Sequence, residues 1–164
     1  MRDVAIRDAE PADADTIAVI YNEGIEDRLA TLETETRSAE ERRRWLAARG
    51  ARHPVIVADV DGEVVGWASL NAFNPRPAYD HVADFSVYVG RARRGCGVGH
   101  RLLEALIGRG RELGYHKLVL AAFPFNAAGI ALYRRLGFVE VGVYREQGRL
   151  DGKWVDVVVM EQIL

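Results

Sequence analysis

The chain of 164 residues holds a single cysteine, Cys96, which excludes an intrachain disulfide and any zinc site built from several cysteines. Long hydrophobic runs are missing too. The longest, Leu118-Val119-Leu120-Ala121-Ala122-Phe123, falls far short of the roughly 18 residues that a membrane span needs. The start, Met1-Arg2-Asp3-Val4, runs on into Asp8, Glu10, Asp13 and Asp15 with no apolar signal region, which predicts a cytoplasmic protein. There is no basic excess: 22 Lys and Arg stand against 24 Asp and Glu, so a general nucleic-acid binder is not expected, although a local basic patch for one anionic ligand stays open. Repeats, low-complexity segments and Pro/Gly/Ser-rich linkers are absent. One continuous domain over residues 1–164 is the expectation, since domains run to about 150 residues.

What is present alternates between the two structural periods. Val4–Arg7 reads as a short strand, and Asp13 or a neighbour caps a helix through Ile17 and Ile20 to Asn22. Ser38-Ala39-Glu40-Glu41 has the form of a capping box and opens a helix with Trp45 and Leu46 inward. Its Arg42-Arg43-Arg44 run reads as a solvated face. Asp61-Gly62, between Val55–Val60 and Val64–Leu70, supplies the positive φ angles of a tight hairpin turn. A strand follows over Val82–Val89. Leu102, Leu103, Leu106, Ile107 and Leu113 then mark a helix that Gly114 ends. Lys117–Phe123 is a buried strand, Ala127–Leu136 a helix, and two strands from Phe138 and Trp154 close the chain. The order β-α-α-β-β-β-α-β-α-β-β predicts an α/β layered fold with a mixed sheet.

The most informative segment is Arg94-Gly95-Cys96-Gly97-Val98-Gly99-His100, between a strand and a helix. Closely spaced glycines at a helix N-terminus turn backbone amides and the helix dipole toward an anion. Arg91, Arg93, Arg94 and Arg101 add charge suited to phosphate. A P-loop would need Gly-Lys-Ser/Thr where Gly99-His100-Arg101 stands. A dinucleotide loop would need its third glycine at His100 and an acidic residue about 20 positions on, where Lys117–Leu120 form a strand instead.

Arg94-x-x-Gly97-x-Gly99 resembles the acyl-CoA pyrophosphate signature of the GNAT superfamily of N-acetyltransferases, and the element order over nearly the whole chain agrees. Asn126 and Tyr133, within Asn126–Phe138, match a second segment of that superfamily. Three further stretches resemble the phosphinothricin acetyltransferase family: Tyr21-Asn22-Glu23-Gly24-Ile25; Arg76-Pro77-Ala78-Tyr79-Asp80 with Asp84-Phe85-Ser86-Val87-Tyr88-Val89; and Gly148-x3-Gly152-Lys153-Trp154-Val155-Asp156-Val157. The chain departs from that family at four places. Asp84 stands where Glu is usual, Tyr133 where better-known members have His, Asn74 where a basic residue is found, and Leu32 where an aromatic lines the pocket.

The resemblance implies a GNAT-like, mostly antiparallel central sheet flanked by helices, acetyl-CoA as cosubstrate without a metal, and a homodimer with the acceptor pocket near its interface. The acceptor would be the α-amine of a small amino acid with a tetrahedral anionic side chain: phosphinothricin, methionine sulfone, methionine sulfoximine or arsinothricin. Its N-acetylation would confer toxin or herbicide resistance. In that frame the amides of Arg94, Gly95, Cys96, Gly97, Val98, Gly99 and His100 anchor the pyrophosphate. Val87, Tyr88 and Val89 offer backbone groups to the pantetheine arm, and Asn126 bonds the arm or nearby backbone. Asp84 accepts the ammonium proton, with His81 the rival base because an imidazole titrates near neutrality. Tyr133 protonates the departing thiolate. Arg76 takes the acceptor's oxyanion in a bidentate fork, Tyr79 and Leu32 line the pocket, and Glu23 holds the acceptor ammonium. Cys96 lies where a helix N-terminus lowers a thiol pKa, yet direct transfer needs no acyl-enzyme. Two other functions stay open: acetylation of a protein N-terminus or lysine, and a silent CoA-binding sensor.

Overall fold

The computed structural model describes residues 3–164; Met1 and Arg2, the start of the acidic N-terminal stretch, lie outside the described residues. The elements follow the expected order: β1 (Ala5–Asp8), α1 (Ala14–Glu26), α2 (Ala39–Ala47), β2 (Val55–Val60), β3 (Glu63–Ala72), β4 (Val82–Val89), α3 (Val98–Glu112), β5 (Lys117–Ala122), α4 (Ala127–Arg135), β6 (Val139–Leu150) and β7 (Lys153–Ile163). Short 3-10 turns at Pro11–Asp13, Pro77–Tyr79 and Arg91–Arg93 are additions that periodicity does not reveal. No helix among the described residues is long and apolar enough to cross a membrane.

The strands form one sheet in the order β1-β2-β3-β4-β5-β7-β6. Every neighbouring pair is antiparallel except β4 and β5, which run parallel over only Val82–Asp84 against Lys117–Val119. Beyond Asp84 the two strands part, and that split is what makes room for a site. One face of the sheet packs Leu70, Phe85 and Met160 against Leu102, Leu103 and Leu106 of α3. The other packs Val57 and Trp67 against Ile17 and Ile20 of α1. Burying each such side chain contributes about 1.5–3 kcal/mol.

Helix α1 runs past Asn22 to Glu26, longer than the sequence suggests. Gly24 within it lets the Tyr88 ring lie close against the helix: a Cβ there would sit 2.9 Å from Tyr88 Cδ1 and Cε1. Asp13 does not cap α1 through its side chain. It is buried, accepts both terminal nitrogens of Arg7 (2.8 and 3.1 Å), and is thereby held below the usual carboxylate range. The Ser38–Glu41 capping box is present, with Glu41 N–H donating to Ser38 Oγ (3.1 Å) and Ser38 N–H to Glu41 Oε2 (2.7 Å). Of the arginine run behind it, Arg42 does not face solvent. Its guanidinium lies over the Tyr21 and Trp45 rings at 4.7 and 4.6 Å.

Candidate active site

Consider first the free backbone at the split. Gly90 N–H donates to Val65 O on β3 (2.9 Å), so even-numbered residues of β4 turn their amides toward β3. Successive residues alternate, which points the amides and carbonyls of Val87 and Val89 to the side that β5 has left. These groups make a ready ladder for an extended amide-bearing chain. The Val89 carbonyl also accepts from Arg94 Nε (3.2 Å).

The glycine loop continues this edge. Gly95 and Gly97 take φ values of +76° and +84°, and the space where a Cβ would stand is open at both. The left-handed turn at Gly97, which directly precedes α3, directs successive N–H groups outward at the positive end of that helix. A groove of about 400 Å³ runs here past Arg94, Gly97, Gly99, His100 and Arg135 to Tyr133. The donor set suits a pyrophosphate on amides and a pantetheine on β4, so the residues fit acyl-CoA. Gly97→Ala is expected to raise the KM for acetyl-CoA about tenfold while leaving the acceptor KM within about twofold, because a side chain at positive φ distorts the amide nest. Initial rates with each substrate varied in turn check this.

The charge around the loop is less free than the sequence implies. Asp27, from the end of α1, pairs with Arg94 (2.5 Å) and Arg91 (2.9 Å) and is held below the usual carboxylate range by both. Glu23 Oε2 accepts the Arg91 backbone N–H (2.7 Å), so it ties α1 to the loop and does not line the cavity beside Asp84. Arg101 donates to the Val4 carbonyl (2.9 Å). Cys96 is exposed outside the groove, and the Val98 side chain is buried in the core, leaving only its amide at the helix start.

The groove opens into a second cavity of about 240 Å³ within the split, where Asp84 and Tyr133 come together with Thr31, Leu32, Ser86 and Asn126. Asp84 lies on β4 opposite Asn71, and Ser86 opposite Ser69. Burial pushes the Asp84 carboxyl up to about 6, opposed by hydrogen bonds from the Asn71 side chain and the Phe85 backbone. Asn71 Oδ1 is already taken by Arg49 Nη2 (2.8 Å) and Ser69 Oγ (3.0 Å). Its Nδ2 is therefore left to donate toward Ser86 Oγ (3.3 Å) and Asp84. Tyr133, on α4, packs edge-on against Phe85 and Phe138, and its phenol is pushed up first by burial and then by Asp84. Asn126 caps α4, its Oδ1 accepting Gly129 N–H (3.1 Å).

The segment after α1 walls this cavity. Thr31 Oγ1 accepts the Glu33 N–H (3.1 Å), and Asn22 holds the Arg37 backbone with two 2.8 Å bonds. Ser86, Thr31, Asn71 and Arg49 were not found by sequence reasoning; the alternation of β4 places Ser86 beside Asp84, and only the cross-strand register reveals Asn71. Three other predicted residues stand elsewhere. His81 is exposed at the start of β4 with its ring 6.0 Å from that of His116. Arg76 and Tyr79 sit on the exposed 74–80 turn, Tyr79 edge-on to Phe73, and none of the three lines the cavity.

Comparison with known proteins agrees with this architecture. The acetyltransferase (GNAT) family model matches residues 19–138. An L-methionine sulfoximine/L-methionine sulfone acetyltransferase of Pseudomonas paraeruginosa is 38% identical over 96% of this chain and 92% of its own. A solved GNAT superfamily phosphinothricin acetyltransferase from Sinorhizobium meliloti, in complex with acetyl-CoA, superposes with TM-score 0.92 at 34% identity, covering 98% of this chain and 88% of its own. A ribosomal-protein-alanine N-acetyltransferase from Brucella melitensis superposes with TM-score 0.94 at 39% identity, covering 98% and 99%. With a glycine loop suited to a pyrophosphate, a split sheet and these relatives, the chain belongs to the GNAT family, in its phosphinothricin and methionine sulfoximine acetyltransferase branch, and is an acetyl-CoA-dependent N-acetyltransferase.

Proposed function

We propose that the protein acetylates the α-amine of a small amino acid whose side chain ends in a tetrahedral oxygen-bearing group, with Asp84 as base and Tyr133 as acid. The observation that carries this reading is that one cavity, joined to the acyl-CoA groove, is lined by both groups. Asp84 removes the ammonium proton and leaves a nucleophilic nitrogen. The N–C bond to the acetyl carbon then forms and the C–S bond breaks. Tyr133 supplies the proton that the departing sulfur takes and is reprotonated by the second proton that the acylated nitrogen sheds, while Asp84 returns the first to solvent.

The lining favours uncharged tetrahedral groups within this class. Among the described residues, no lysine or arginine lines the cavity, and Asp84 adds negative charge. A sulfone or sulfoximine oxygen can accept from the hydroxyls of Ser86 and Thr31, whereas a fully ionised phosphinate would be buried without a partner cation. Methionine sulfone and sulfoximine are accordingly ranked above phosphinothricin and its arsenic analogue. The likeness to an alanine N-acetyltransferase of ribosomal protein supports a second reading, transfer to a protein N-terminus. A cavity of about 240 Å³ lies below the roughly 300–1,000 Å³ of drug-sized ligand sites, which favours a single amino acid. Thiol release from acetyl-CoA, measured with these four acceptors, the common amino acids and peptides, separates the two. Turnover on peptides alone would replace the first reading by the second.

The working unit in this reading is a homodimer joined through β6. That strand is a sheet edge, and Val139, Val141, Val143 and Tyr144 on it, with Trp154 beside it, are 46–62% exposed. A long apolar edge left bare invites pairing with a like edge. Val143→Glu is expected to halve the molar mass seen by light scattering. An unchanged mass would place any self-association elsewhere.

A further inference from the structure

We propose that Gly148 sets the length of side chain the acceptor carries, by allowing Leu32 to lie back from the cavity. This inference rests on the small amino-acid acceptor reading and assigns to the same site a residue that controls its size. Gly148 lies on β6 opposite Val155, where the β6–β7 register shifts. A Cβ at Gly148 would stand 2.9 Å from Leu32 Cδ1 and 3.2 Å from Cγ, and closer still to Cδ2. All three atoms belong to one side chain, so that side chain is what must yield. The φ angle of Gly148 is outside the left-handed region, so an alanine there strains no backbone.

Leu32 has the hairpin on one side and the cavity on the other. The segment that carries it is fastened at several points. Arg28 Nε pairs with Asp151 Oδ2 at the hairpin turn (3.2 Å), Thr31 Oγ1 accepts the Glu33 N–H (3.1 Å), Arg37 pairs with Glu33 (3.0 Å), and Asn22 clamps the Arg37 backbone. In this proposal a methyl at Gly148 displaces the Leu32 side chain toward Thr31 and Asp84 and shortens the space for the acceptor; displacement into the solvent that leaves Leu32 43% exposed is the no-loss outcome of the test below. Gly148 touches no substrate in this account; it is a positioning residue acting through Leu32.

The test compares methionine sulfone with S-methylcysteine sulfone, which keeps the tetrahedral head and is one methylene shorter. In Gly148→Ala, kcat/KM for the longer acceptor is expected to fall about 10–100-fold, carried by KM, since one methylene in a pocket decides discrimination of that order. The shorter acceptor is expected to lose less than about threefold, with the KM for acetyl-CoA within about twofold of the parent. Leu32→Ala in the Gly148→Ala background should restore the longer acceptor. Leu32→Phe, which narrows the same space without touching the hairpin, should reproduce the loss and covers the case of a Gly148 variant that does not fold. Equal losses for both acceptors, no loss, or no rescue would overturn the proposal while leaving the parent's activity, and the function reading with it, intact. Failure of the parent to turn over either acceptor would overturn the function reading and this inference together.

Discussion

Asp84→Asn is expected to lower kcat by about 10²–10⁴-fold, the range that a positioned general base contributes. Asparagine keeps the shape and the hydrogen bonds of the site but cannot take a proton. The KM for acetyl-CoA should stay within about threefold, because the groove along the glycine loop is not lined by Asp84. The pH profile gives a second check. Burial holds the Asp84 carboxyl at about 6, and the base works only when ionised. In the parent, kcat/KM should therefore rise with pH through about 6 and then level, and the variant should lack that limb. Removing Asn71, which favours the ionised form, should move the limb to higher pH.

The same carboxyl makes an opposite prediction for stability. A group whose folded pKa is raised holds its proton more tightly in the native chain. Its contribution is therefore full below the unfolded value of 3.8 and is lost as pH rises through about 6. Moving a carboxyl that far costs the ionised form about 2–3 kcal/mol in the folded state. Asp84→Asn should thus raise the melting temperature at pH 7.5 more than at pH 4 while abolishing most turnover. A residue kept for packing would not behave this way. Gain of stability with loss of activity is the mark of a charge held in place for chemistry.

Tyr133→Phe carries the second large effect, about 10²-fold in kcat. Burial and the neighbouring carboxylate both raise the phenol, so it keeps its proton across the working range and is available as a donor. Phenylalanine preserves the edge-on contacts with Phe85 and Phe138, so stability should change by less than about 1 kcal/mol. The loss should be flat between about pH 7 and 9, since nothing on the donor titrates there. If the ring serves only as packing, the variant will turn over at the parental rate.

Much of the fold is legible in the sequence because its signals are local. Asp61-Gly62 marks the hairpin, Ser38 and Glu41 mark the start of α2, and the leucines after Val98 mark α3, each within one or two turns of chain. The glycine loop is legible for the same reason. Where reading fails, the missing information is tertiary. Arg42 reads as solvated because nothing in Arg42-Arg43-Arg44 shows that Tyr21 and Trp45 will roof one of the three. Helix α1 reads as ending at Asn22, and the Tyr88 ring that packs on Gly24 beyond it comes from a strand far along the chain.

The site divides along the same line. Asp84 and Tyr133 were named through family resemblance, and their meeting at the split depends on β4 and β5 pairing for only three residues. Asn71 is invisible until β3 is set against β4. His81 and Arg76 illustrate the converse, since closeness to Asp84 in sequence brings neither into the cavity. Glu23 is spent on the Arg91 amide, a bond that spans from α1 to the glycine loop. Charge near a candidate site is informative only after its partners are known, as Asp27 shows by occupying Arg94.

The central claim, direct transfer of acetyl from the thioester to an α-amine in this cavity, is tested most directly by following labelled acetyl. Parent protein would be incubated with acetyl-CoA carrying a heavy acetyl group and methionine sulfone, and the small-molecule product and the intact protein weighed by mass spectrometry. The account predicts one labelled acetyl on the α-nitrogen of methionine sulfone, one free thiol released per product, and a protein of unchanged mass. Label retained on the protein, at Cys96 or elsewhere, or thiol release with no acetylated amino acid, would contradict it.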